Sequence, residues 1–255
     1  MLPQEIIDFV IDQLEGSPAA LKSCTLVSRR WTARGQKHLF RRVVIRSDSL
    51  GRWCQRIKPG SVGVSSYTAH LVLVAAANPL KEDPWFERKL LEDASAHLIS
   101  FVNVHTLDVI RWKFSDEELY TAPFAQIALS IRTLRVTCPS LGSSAFFAFT
   151  TSFGRAESIS IIHPQITSEE LAMQNPLLTA PSTTLCWTSL SLLDISDKGL
   201  LLLDWIAQLP LRLINLSVGL QSQSYHSGSL TLLLRASSAT LQALRLCRCA
   251  GGELT

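Results

Sequence analysis

The chain has no CxxC pair, no G-x-S-x-G elbow, no G-x-x-x-x-G-K loop and no HExxH. Those absences remove the local patterns for a four-cysteine zinc site, a hydrolase serine elbow, a triphosphate cradle and a zinc-protease helix. No glycine-rich turn follows a strand-like run, so nothing local supports a dinucleotide. The six histidines are scattered, with none at i, i+4 spacing. Charge is scarce as well, at 18% of residues against the roughly 25% usual for soluble domains. The net charge of +3 is too small to imply nucleic-acid or membrane binding by the chain as a whole. No long apolar run is unbroken: "GLLLLDWIAQLPLRLINL" is interrupted by Asp204, Gln208, Pro210 and Arg212, which excludes a bilayer span there. "MLPQEIIDF" carries acids where a secretory signal carries bases. A soluble protein, cytoplasmic and/or nuclear, is expected.

What the chain has is apolar bulk. Hydrophobic residues make up 47% of its 255 positions, and leucine alone about one position in six. Most of such a chain must be buried, in one large domain or in a small and a larger one. The six cysteines form no tight pairs except Cys247 and Cys249. They are expected to be reduced and to pack as small hydrophobes.

The first 46 residues read as three short helices. Pro3 suits a helix start, and Ile6, Ile7, Val10, Ile11 and Leu14 share one face. Glu5, Asp8, Asp12 and Glu15 lie on the other side. Gly16 offers a left-handed end, and Ser17-Pro18 a second start. A second helix carries Ala20, Leu21 and Cys24. Thr25 reads as the cap of a third, with Val27, Ser28, Trp31, His38, Leu39 and Phe40. Gly35 within that third helix costs up to about 1 kcal/mol of helix propensity. Charge is segregated: the first helix has four acids and no base, and Lys22 to Arg46 holds eight bases and no acid. The basic run suits a solvated face or an acidic partner surface. A helix-turn-helix DNA reader is disfavoured, because the Asn/Gln-rich face that reads base edges is missing.

The motif "LPQEIIDFVIDQLEG…LKSCTLVSRRW…HLFRRVVI" resembles the F-box in the form common among fungal proteins. The matching positions are Leu2-Pro3, Glu5-Ile6-Ile7, Leu14, Leu21, Cys24, Leu26-Val27-Ser28-Arg29, Trp31 and His38-Leu39-Phe40. The resemblance implies docking on the adaptor Skp1 and, through it, on a cullin within an SCF-type ubiquitin ligase. It further implies that Leu2, Pro3, Ile6, Ile7, Leu14, Leu21, Cys24, Val27, Ser28 and Trp31 form the adaptor-facing surface and its adjoining core. Trp31 is the expected hot spot.

Beyond residue 46 an apolar pattern at i, i+3 and i+5 recurs. It appears as Phe40-Val43-Ile45, Val104-Leu107-Val109, Ile131-Leu134-Val136, Ala156-Ile159-Ile161, Leu190-Leu193-Ile195, Leu211-Ile214-Leu216 and Leu241-Leu244-Leu246, with Thr68-Leu71-Leu73 a weaker copy. Strand-like runs such as "HLVLVA", "TLDVI", "TLRVTC" and "SISII" alternate with helix-like ones such as "SSAFFAFTTSFG", "KGLLLLDWIAQL" and "GSLTLLLRASS" every 20 to 40 residues or so. The fold class expected is therefore α/β: a small N-terminal three-helix F-box (1–46) followed by an irregular leucine-rich-repeat-like solenoid (47–255). A doubly wound sheet is the alternative. The last strand-like run ends just before Thr255 without a following helix, so a truncated chain is also an expectation.

No catalytic constellation stands out, and the chain is expected to be no enzyme. No metal or cofactor is called for. The function expected is a substrate receptor: Skp1 on the first segment, an unknown substrate protein on the second, no nucleic acid and no membrane. A ligase-independent binding scaffold is the alternative.

Overall fold

A computed structural model describes residues 3–46, 49, 52–53, 63–75, 98, 100–114, 124–141, 144–166, 185–196, 199–220 and 228–248. The chain begins with α1 (Gln4–Asp12), α2 (Pro18–Val27) and α3 (Arg29–Leu39), then enters β1 (Arg42–Arg46). A single helical turn, α4 (Val64–Tyr67), precedes β2 (His70–Val74) and β3 (Thr106–Ile110). There follow β4 (Lys113–Phe114), β5 (Thr133–Thr137), β6 (Ser140–Leu141), α5 (Ser144–Ser152), β7 (Ser158–Ile162), β8 (Gln165–Ile166) and β9 (Ser189–Ile195). The described chain closes with α6 (Leu200–Ala207), β10 (Asn215–Leu220), α7 (Gly228–Ser237) and β11 (Ala243–Arg248).

Eight strands form one all-parallel sheet in the order β1-β2-β3-β5-β7-β9-β10-β11, and the two-residue strands β4, β6 and β8 form a second, small sheet. The expected fold class, a three-helix F-box followed by an irregular leucine-rich-repeat-like solenoid, is corrected by this topology. The protein is an α/β structure organised on a single eight-stranded parallel sheet. The reason is physical: an i, i+3, i+5 apolar pattern reports only the inward positions of a parallel strand covered on one side. It does not say how successive units are assembled. Nor is the sheet doubly wound. Among the described residues its strand order never reverses and so leaves no switch point, the place where open α/β sheets bind ligands.

Sequential order has a second consequence. Right-handed crossovers that always advance in one direction put their helices on one face of the sheet. Burial alternates accordingly: β3, β5 and β7 bury Leu107 and Val109, Leu134 and Val136, and Ile159 and Ile161. These side chains meet Phe146, Phe147 and Phe149 of α5, Leu202, Leu203, Trp205 and Ile206 of α6, and Leu230 and Leu233 of α7 in one continuous cluster. Aromatic packing locks it, with Phe124 and Phe149 edge to face at 5.2 Å and Phe147 against Trp205 at 4.5 Å.

Register corrects two of the repeat frames. Leu134, Ile159, Leu190 and Leu216 lie in one row across β5, β7, β9 and β10. The inward residue three positions earlier is Ile131, Ala156, Trp187 and Leu213, each wholly buried. The sequence pattern chose Leu190-Leu193-Ile195 and Leu211-Ile214-Leu216. The inward sets are Trp187-Leu190-Leu192 and Leu213-Leu216-Val218. Leucine-rich runs offer several frames, and only strand pairing selects one. Trp187 also donates its indole N–H to the Phe153 carbonyl at 3.2 Å, so its polar atom is satisfied inside the core.

The strands turn corners by an unusual device. Arg111, Cys138 and His163 follow β3, β5 and β7 directly, and all have left-handed φ, at 62°, 51° and 52°. Each leads its strand toward the small sheet. Asp194, φ 60°, marks the same level in β9, where the ladder to β10 bulges between Leu192 and Ile195. The ladder carries on through these corners: Arg111 N–H donates to Thr137 O, Cys138 N–H to Ile162 O and His163 N–H to Leu193 O, at 2.8, 2.8 and 2.9 Å. The sequence also reads as a helix over residues 82–102 and a proline-bearing excursion over 163–184; of these, only residues 98, 100–102 and 163–166 are among the described ones.

Candidate partner-docking surface

Helices α1–α3 surround a very small core of Ile7, Ile11 and Leu21, with Leu14, Trp31 and Leu39 packed partly against it. Ion pairs and hydrogen bonds link them as well. Arg34 Nε and Nη2 donate to the two oxygens of Asp12 at 2.6 and 2.5 Å, and His38 Nε2 lies 2.7 Å from Asp12 Oδ1. Hydrogen bonds from Arg34 and then His38 hold the Asp12 carboxyl well below the usual carboxylate range. Arg41 pairs with Glu15, and Arg30 Nε donates to Gln4 Oε1 at 3.1 Å. The segregated charges, acidic on α1 and basic from Lys22 onward, therefore join α1 to α3. Lys22, Arg29 and Lys37 remain exposed and take no part in these pairs.

Two local expectations change. Ser28, not Thr25, caps α3: its hydroxyl accepts from Arg30 N–H at 3.2 Å, whereas Thr25 Oγ1 donates back to Lys22 O at 2.7 Å. Gly16 lacks a left-handed φ, and α1 already ends at Gln13 in a right-handed conformation. Gly35, a poor residue for helix propensity, has a packing reason. A Cβ there would lie 2.7 Å from Thr25 Cγ2, so glycine lets α2 and α3 close on each other.

The adaptor-facing set named from the sequence divides in space. Ile7 and Leu21 are buried in the helical core, and Leu14 and Trp31 pack half-buried against it. Cys24 and Ser28 are half-buried. Pro3, Ile6 and Val27 are exposed, and Leu2 lies outside the described residues. Three further apolar residues stand in solvent: Phe9, Val10 and, most of all, Leu26 at 87% exposure. Phe9 lies at i+3 from Ile6, beside rather than on the Ile7-Val10-Ile11-Leu14 stripe of α1. A second apolar edge on an amphipathic helix is the sequence signal that finds such a residue. Leu26 and its neighbour Val27, 66% exposed, form the last turn of α2. Apolar residues left uncovered beside so small a core mark an interaction surface.

A second group of chemically capable side chains lies at the strand corners. His163 Nδ1 and Asp194 share a short hydrogen bond, with Cys138 and Arg111 on the neighbouring strands. Burial pushes the Cys138 thiol up from its ordinary range, with Arg111 pulling down and Asp194 pushing up less strongly. The thiol is thus protonated near neutrality, the poorly nucleophilic form. Among the described residues no three His, Cys, Asp or Glu side chains gather as a metal site. Cys247 Sγ sits 3.7 Å from the Val218 carbonyl, and Cys249 lies outside the described residues. No helix among the described residues is long and apolar enough to cross a membrane.

Compared with known protein families and with curated proteins, the chain matches no family model and no curated protein.

Proposed function

We propose that this protein is a substrate-receptor subunit of an SCF-type ubiquitin ligase. Its F-box-like first segment binds a Skp1-like adaptor and through it a cullin, and the sheet region holds a substrate protein. The observation that carries the reading is the uncovered apolar group on α1 and α2: Ile6, Phe9, Val10, Leu26 and Val27 beside a core of three side chains. Burying a Leu or Val side chain on a partner gains about 1.5–3 kcal/mol, enough to anchor an adaptor. The sequence resemblance names which adaptor. In this role the chain supplies proximity rather than chemistry, and it acts in the cytoplasm and/or nucleus.

Titration calorimetry with purified Skp1 tests the reading. Binding is expected, with Leu26→Asp and Val27→Asp each weakening it at least tenfold while helicity is retained. Trp31→Ala is expected to cost about 2 kcal/mol of affinity, measured alongside its cost in stability because Trp31 also touches the small core. A folded chain that fails to bind Skp1 would reject the ligase role and leave the ligase-independent scaffold.

A further inference from the structure

We infer that the open face of the sheet between β5 and β11 binds an extended acidic peptide segment, anchored by the guanidiniums of Arg135 and Arg245. Strand register sets Arg135, Ser160, Ser191, Ser217 and Arg245 in one row across five adjacent strands. Their inward neighbours Leu134, Val136, Ile159, Ile161, Leu190, Leu192, Leu216 and Val218 are buried, so the row faces away from the helices. Both arginines are exposed, and neither enters an ion pair or hydrogen bond among the described residues. Three half-buried hydroxyls lie between two unpaired cations.

The charges facing this row are few. Asp108 stands next to Arg135 in register; its Oδ2 is held by His70 Nε2 at 2.8 Å and its Oδ1 is buried without a hydrogen-bond partner among the described residues. Asp194, at the rim on β9, is held by His163. No other acid lies on this face of β5, β7, β9, β10 or β11 among the described residues. The two guanidiniums at the ends of the row are its unpaired charges, and a ligand with negative charge at both ends fits them.

Spacing makes the inference specific. Four strand intervals of about 4.8 Å separate the anchors by about 19 Å, which an extended peptide covers in about six residues. The segment therefore carries two acidic side chains six positions apart, with polar residues between them to meet the serine hydroxyls. A single-stranded nucleic acid fits less well, because among the described residues this face has no aromatic side chain on which bases stack. The inference rests on the receptor reading for its source: the segment belongs to the substrate protein.

Fluorescence anisotropy on the full chain tests it with a fluorescein-labelled peptide Glu-Ser-Asn-Ser-Asn-Ser-Glu. That peptide is expected to bind at least fivefold more tightly than its double-Gln version and than an isomer with adjacent glutamates. Arg135→Gln and Arg245→Gln, checked by thermal melting for an intact fold, are each expected to weaken it at least fivefold. No binding, equal binding of the Gln peptide, or indifference to both substitutions would overturn the inference. Equal binding of the adjacent-glutamate isomer would overturn the two-anchor geometry. A seven-nucleotide oligouridylate binding as tightly as the peptide would overturn it in favour of nucleic acid. Both arginine variants are expected to bind Skp1 as wild type does, so failure here and failure of the receptor reading are read separately.

Discussion

Helices α1–α3 centre on three buried apolar side chains, Ile7, Ile11 and Leu21, whereas the sheet buries an unbroken cluster from Val43 on β1 to Leu233 on α7. The helices compensate with charge. Asp12 alone joins α1 to two residues of α3, and Glu15 and Gln4 add further links. The large core works the other way, with aromatic and aliphatic contacts and almost no buried charge. A small core clamped by polar links and carrying exposed apolar residues is built to be completed by a partner. A large closed one can stand as a frame whose outer face is free to vary.

Four measurements break or sharpen that contrast. The largest effect is expected from Trp187→Ala, which removes a wholly buried side chain and its hydrogen bond to Phe153. It should cost about 3–5 kcal/mol in urea unfolding. Segment-resolved hydrogen exchange should show the loss in β7–β10 more than in α1–α3. Equal loss in both would mean that the two cores unfold as one unit.

Next is Gly35→Ala. The added methyl meets Thr25 Cγ2 and should cost about 1–2 kcal/mol despite alanine's better helix propensity. Thr25→Ser in the same chain removes the clashing methyl and should recover most of that loss. Failure to recover would show that the α2–α3 approach does not depend on this contact.

Acid gives a smaller, local effect. The Asp12 pKa is depressed in the folded state relative to an unfolded value of about 3.9. Its contribution is therefore present above about pH 4 and lost as pH falls below that through the folded value. Exchange in α1–α3 should accelerate in acid while the β-strands stay protected, and Asp12→Asn should abolish the difference. The pair is partly exposed, so salt should weaken the effect.

The smallest effect is expected at the corners. Arg111→Gly relieves a left-handed φ at an exposed side chain. It should leave stability unchanged or raise it by up to about 0.5 kcal/mol, since glycine's unfolded-state entropy offsets the relief. A clear loss on thermal melting would show that the Arg111 side chain itself holds the corner.

Much of the architecture was legible because burial leaves a periodic trace. Ile7, Ile11 and Leu21 were on the predicted apolar faces, and the strand-like runs at 70–75, 106–110, 133–138 and 158–162 match β2, β3, β5 and β7 to within a residue. What failed was what periodicity does not encode. The frame slipped at Trp187 and Leu213, where leucine is abundant on both sides of the strand. The cap was placed at Thr25 instead of Ser28 because both are hydroxyl residues near the break. The row of Arg135, three serines and Arg245 was invisible, because its members are 25 to 31 residues apart along the chain and meet only through strand pairing.

Sequence alone thus determined that helical and strand-like stretches alternate, and which side is apolar in β2, β3, β5 and β7 but not in β9 and β10. Those are local properties, set by residues a few positions apart. Tertiary structure decided the order of the strands, the leaving open of one sheet face between β5 and β11, the closure of α2 on α3 at Gly35, and the pairing of Asp12 of α1 with Arg34 and His38 of α3. Each of these depends on distances between residues remote in sequence, and hydrogen-bond register and steric closeness fix those distances only once the chain has folded.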